Sequence, residues 1–107
     1  MDVIYKDRIA LQRDTTVEEF AETNSLTMVV TKHGPCRYTA SFDNCETKES
    51  AASGVLESFY GEGHTATSAI LDYSYRIAGK LLVFKAGSPS ERREIYVPSK
   101  LTLQGTY

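Results

Sequence analysis

The chain has no tryptophan, only two cysteines and three prolines, and almost no charge of one sign in excess: 12 basic and 14 acidic side chains leave a formal −2 over 107 residues. Each shortage excludes something. A near-balanced charge lacks the electrostatic footprint of tight, non-specific nucleic-acid binding, so direct nucleic-acid binding is not expected. No apolar stretch approaches the roughly 18–20 residues needed to cross a bilayer, so no membrane is expected. The opening Met1-Asp2-Val3-Ile4-Tyr5-Lys6-Asp7-Arg8 has no basic region followed by an apolar run, so a secretory signal is not expected either. Cys36 and Cys45 belong to no CxxC pair or histidine cluster, and a small secreted domain usually carries more cysteine. Both are read as reduced thiols in a cytoplasmic protein. A zinc site needs a full tetrahedral set at characteristic spacing, and His33 and His64 are the only other soft ligands. No metal or cofactor is expected.

What remains is enough for one domain. At this length a chain buries roughly two-thirds of its unfolded surface and folds without a staple. Residues 1–13 show no decisive period and are read as an N-terminal arm. From Asp14 the signals sharpen. Thr15-Thr16-Val17-Glu18-Glu19 offers a capping box in either register, and Val17, Phe20 and Ala21 share one helical face. Asn24 can end this short helix. Leu26–Lys32 and Arg37–Phe42 flank a Gly34-Pro35 turn and predict an antiparallel hairpin, with Tyr38, Ala40 and Phe42 facing inward.

Residues 43–62 read two ways. Cys45–Lys48 suits an extension of the preceding strand or a strand paired with it, and Val55–Tyr60 suits another. A helix through Lys48–Phe59 is the competitor, weakened by Gly54. Gly61–His64 reads as a turn. Thr65 then caps a helix carrying Ala66, Ala69, Ile70, Tyr73 and Ile77 on one stripe, stopped by Gly79. Leu81–Phe84 and Arg92–Val97 make a C-terminal hairpin ended by Pro98, with Tyr96 assigned to the core. Residues 99–107 are read as a tail, leaving a single domain over 14–98. The order α-β-β-(β)-α-β-β predicts an α+β two-layer sandwich, two helices on one face of a mainly antiparallel sheet.

No residue set names a reaction. Gly61-x-Gly63-His64-Thr65 entering a helix invites a phosphate reading, but it lacks the lysine of a P-loop and the acidic partner of a dinucleotide site. A thiol nucleophile would need Cys36 or Cys45 beside His33 or His64, and no orienting acid is nominated. No catalytic residue is assigned. Charge distribution says more. Residues 14–24 hold four acids and no base, and residues 41–62 hold Asp43, Glu46, Glu49, Glu57 and Glu62 against Lys48 alone. Solvated faces are the plain interpretation. An acidic contact surface for a basic partner is the sharper one, with Tyr60 and Tyr75 as candidate contact residues beside those five acids. The alternative is a single-stranded nucleic-acid or nucleotide module using Tyr38, Tyr96, Arg92 and Arg93.

The stretch Thr65-x4-Ile70-x-Asp72-Tyr73-x2-Arg76-Ile77-x-Gly79-Lys80-x-Leu82-Val83-Phe84-x-Ala86, followed by Arg92-Arg93-Glu94-Ile95-x-Val97-Pro98, resembles a group of short proteins encoded by bacteriophages and prophages. Tyr38-x-Ala40-x-Phe42 and Gly61-x-Gly63 extend the resemblance over about residues 16–98. His64-Thr65-Ala66-Thr67-Ser68 departs from the acidic residue and Thr-Pro-Glu-Glu common there. The resemblance implies a phage origin and the fold, and it carries no activity residue by residue. The expectation is a non-enzymatic accessory protein in the host cytoplasm. It would bind a host protein, such as a component of a defence complex, and inhibit an antiviral system such as a CRISPR effector. A virion or assembly role stays open, and so does the oligomeric state.

Overall fold

The computed structural model describes residues 1–2 and 15–107; the remainder of the predicted arm lies outside the described residues. The described chain is α+β: two helices and eight mostly antiparallel strands. A short strand β1 (Thr15–Thr16) runs straight into helix α1 (Val17–Thr23). Of the two possible capping registers the structure takes the second, with Thr16 Oγ1 accepting from the Glu19 N–H at 3.0 Å. Val17 and Phe20 are buried beneath the helix, and the Asn24 amide closes its end on the Phe20 carbonyl at 2.9 Å.

Strands β2 (Met28–Gly34), β3 (Arg37–Phe42) and β5 (Gly61–Gly63) form one antiparallel sheet in the order β2-β3-β5. The predicted hairpin is present, with Met28 opposite Phe42 and Val30 opposite Ala40. Beyond Phe42 the chain turns at Asn44, whose φ of 57° lies in the left-handed region that asparagine tolerates. Strand β4 (Cys45–Lys48) therefore leaves the first sheet. It pairs with β6 (Leu81–Phe84), which pairs with β7 (Arg93–Tyr96), giving a second sheet in the order β4-β6-β7. The sheet layer is thus divided, and Cys45–Lys48 neither continues nor pairs with the strand before it. The competing helix over 48–59 does not form. The strand read over Val55–Tyr60 contracts to a single bridge, Glu57 to Thr47, whose backbone groups exchange bonds at 2.8 and 2.9 Å.

Gly61–Gly63, read as a turn, is strand β5, with Ala40 opposite Gly61 and Tyr38 opposite Gly63. The glycines are there because helix α2 (Ala66–Ile77) lies directly on them. A β-carbon on Gly61 would overlap the Ala69 carbonyl and the Tyr73 backbone, and one on Gly63 would strike Ser68. Glycine serves a close helix–strand approach as well as a turn, and the sequence pattern alone does not separate the two. Thr65 caps α2 in a reciprocal box with Ser68, and Gly79 takes a φ of 74° just beyond the helix.

One core unites these parts. Ala69, Ile70, Tyr73 and Ile77 of α2 meet Val17 and Phe20 of α1, Ala40 and Phe42 of β3, Leu82 and Ile95 of the second sheet, and Val97 just beyond β7. The Phe42 ring meets Tyr73 edge-on at 5.5 Å and Phe20 at 6.1 Å. Two further sequence readings give way. Tyr96 was placed in the core, yet it is 74% exposed because Ile95 and Val97 take the inward positions on either side of it. Residues 99–107, read as a tail, contain β8 (Leu101–Thr102), which pairs in parallel with β1, and Leu101 is buried. Two-residue strands are too short to show a period.

Candidate functional site

The outer face of the junction between the two sheets is the candidate interaction surface. Where β3 passes into β4 and segment 58–60 returns alongside, an open cleft of about 460 Å³ forms, lined in part by Val29, Asp43, Glu46, Tyr60 and Lys85. Three residues nominated from sequence, Asp43, Glu46 and Tyr60, meet here. Strand alternation explains it. Val29 and Ser41 point away from the core opposite one another, while Glu46, half-buried, sits opposite the buried Val83 at the start of β4. Tyr60 closes the cleft and is 51% exposed.

The acidic stretch is neutralised unevenly. Glu62 pairs with the Arg37 guanidinium at 2.6 Å, and Glu49 pairs with Lys80 at 3.1 Å. Asp43, Glu46 and Glu57 have no ion pair among the described residues. Asp43 and Glu46 therefore leave uncompensated negative charge at the cleft. Glu57 is exposed on the strand-like segment beside β4, and Tyr75 stands on the solvent side of α2, outside the cleft.

Next to the cleft, Tyr60 and Glu62 lead to a second depression lined by Ser58, Phe59 and Arg76. Asp72 organises this end: its carboxylate accepts the Glu62 N–H at 2.9 Å and the Arg76 side chain at 2.9 Å. Burial raises the Asp72 pKa, but these two donors outweigh it and hold the carboxyl below its ordinary value. The same pairing raises the Arg76 pKa, and pairing with Glu62 raises that of Arg37. Sequence reasoning did not nominate Arg37, Asp72 or Arg76. Their only signal was Asp72 and Arg76 at helical i, i+4 spacing.

Cys36 and His64 line one depression with Arg37 and Asp72, but no thiol–histidine hydrogen bond forms among the described residues. His33 Nε2 is bonded to Thr39 Oγ1 at 2.7 Å, and His64 Nδ1 lies 3.1 Å from the Cys36 carbonyl. A carbonyl only accepts, so Nδ1 of His64 carries the proton. Cys36 is exposed, while burial pushes the Cys45 thiol up to about 11. Among the described residues no group of three or more His, Cys, Asp or Glu is placed to hold a metal ion, and no helix is long and apolar enough to cross a membrane.

The four residues of the nucleic-acid alternative are not gathered on one face. Tyr38 packs against the core with Lys32 5.9 Å from its ring, and Arg93 lies over Phe84 and donates to the Asn24 carbonyl at 3.0 Å. Tyr96 points outward from the other sheet, and Arg92 pairs with Glu94 at 3.3 Å.

The former tail builds a separate apolar groove. Glu18 on α1 accepts the Gln104 and Gly105 N–H groups at 3.1 and 2.6 Å and the Tyr107 hydroxyl at 2.9 Å. Burial raises its pKa, but the Gly105, Gln104 and Tyr107 bonds more than offset that and leave it lowered. Leu103 and Tyr107 thereby wall a groove of about 170 Å³ floored by Val17, Phe42 and Ile70 and edged by Met28 and Val30. No protein-family model matches the chain, and neither curated proteins nor solved structures yield a match.

Proposed function

We propose that this chain is a phage-encoded accessory protein that acts by binding a host protein rather than by turnover. In this reading it works in the host cytoplasm and inhibits an antiviral system, such as a CRISPR effector. The observation that carries the binding surface is the convergence of Asp43, Glu46 and the half-exposed Tyr60 on one open cleft, with no compensating ion pair for either acid among the described residues. Unpaired carboxylates steer a basic partner and set its orientation, and an adjacent tyrosine adds apolar contact with a hydroxyl. The phage-like motifs between Tyr38 and Pro98 supply the biological setting. A phage-plating assay in a host with an active defence system tests the proposal. Expression of the chain should raise plating efficiency, and Asp43→Lys with Glu46→Lys should abolish the rise. Plating that never responds to expression would overturn it.

A further inference from the structure

Tyr60 stands on a short crossing between the two sheets. Glu57 bridges Thr47 of β4, Gly61 opens β5, and residues 58–60, which belong to no helix or strand, span the gap. Phe59 packs against the core while its neighbour, the half-exposed Tyr60, lines the cleft. Strand β5 has little side chain with which to hold the crossing, because two of its three residues are glycine. Only Glu62 has one, and Glu62 is held from both neighbouring elements. Its carboxylate meets the Arg37 guanidinium at 2.6 Å, and its N–H donates to the Asp72 carboxylate at 2.9 Å. Asp72 also accepts from the Arg76 Nε at 2.9 Å, and Arg76 lines the depression that Ser58, Phe59 and Tyr60 share. One carboxylate on α2 therefore holds the backbone two residues beyond Tyr60 and a side chain beside it. Hydrogen bonds to an ionised carboxylate are roughly twice as strong as neutral ones.

We infer that Asp72 is a positioning residue for the binding surface: through the Glu62 N–H and through Arg76 it sets Tyr60 against the acidic cleft. Asp72 is not part of the cleft lining, so it acts there through Tyr60. Its role in binding rests on the reading of the cleft given above; its hold on Tyr60 does not. A tyrosine fixed before contact loses less conformational freedom when a partner docks, so the clamp favours binding by pre-organisation.

Two measurements on the full chain test it, with circular dichroism confirming the fold of each variant. Nuclear magnetic resonance of isotope-labelled tyrosine rings, with Tyr60 assigned by Tyr60→Phe, reads the placement, and amide exchange at Glu62 reads the clamp. Asp72→Ala should move the Tyr60 ring signals, leave those of Tyr96 on the second sheet in place, and speed Glu62 exchange at least about tenfold. Asp72→Asn keeps an acceptor for the N–H and drops the charge facing Arg76. It should move the ring with a smaller change in exchange, and it serves if Asp72→Ala fails to fold. Phage plating reads the effect on binding. Asp72→Ala should lower plating, and Asp72→Ala with Tyr60→Ala should be no worse than Tyr60→Ala alone, because residues acting through one contact are not additive. Tyr60 ring signals unmoved by both Asp72 variants would overturn the inference, and so would plating losses that add. A ring that moves in a chain that never raises plating would uphold the placement of Tyr60 by Asp72 and overturn the reading of the cleft instead.

Discussion

Tyr73 shows how a single side chain sets terms for the core. It is fully buried, and its hydroxyl makes no well-formed hydrogen bond among the described residues, although the Phe42 backbone lies close enough to temper the upward push that burial gives its pKa. An unsatisfied buried hydroxyl costs free energy, whereas its ring contributes apolar area and the edge contact with Phe42. Tyr73→Phe should therefore leave stability unchanged or raise it by up to about 1 kcal/mol in chemical denaturation, while Tyr73→Ala should cost about 3–5 kcal/mol. The cysteines give a second residue-level expectation. Ellman titration at neutral pH should detect Cys36 quickly and Cys45 only on unfolding, since burial holds the Cys45 thiol at about 11. Glu18 gives a third. Its carboxyl is more acidic when residues 104–107 are docked than an ordinary glutamate's, so docking is fully supported above the ordinary glutamate pKa and is lost as pH falls through the lower docked pKa. Amide exchange at Gln104 and Gly105 should speed up on acidification, and Glu18→Gln should speed it at neutral pH.

Among the elements, the contact of β5 with α2 depends most on residue choice. Gly61→Ala would push a methyl group into the backbone at Ala69 and Tyr73, which cannot move without displacing the helix. The expected cost is about 2–3 kcal/mol or more, read from a urea midpoint shift. Elements with their own period or cap were legible in the sequence: the β2–β3 hairpin from its alternation, and α2 from Thr65, its apolar stripe and Gly79. Elements defined by another part of the chain were not. Gly61–Gly63 has no side chains to alternate, β1 and β8 are too short for a pattern, and Cys45–Lys48 gives no local hint that it joins β6 instead of β3. Tyr96 was misplaced for a related reason, because Ile95 and Val97 compete with it for the inward face and only the register with β6 decides.

At the scale of the whole molecule, the balanced net charge conceals where charge is left unpaired. The sequence located the acidic stretch but could not tell that Arg37 and Lys80, distant along the chain, answer Glu62 and Glu49. It also could not tell that Asp43 and Glu46 would meet Tyr60 across the β3–β4 corner. Composition nominated seven contact residues, and tertiary placement selected three of them for the cleft. The exposed salt bridges themselves add little to stability. Their consequence is to compensate Glu62 and Glu49 while Asp43 and Glu46 stay uncompensated at the cleft among the described residues. The most direct measurement is quantitative affinity capture from infected host cells, comparing wild type with the Asp43→Lys/Glu46→Lys double variant and with Tyr60→Ala. The account predicts that wild type retains a defence component, that the double variant loses at least about tenfold of it, and that Tyr60→Ala loses a smaller share. Equal capture by wild type and the double variant, or capture of no defence component by any of them, would contradict it.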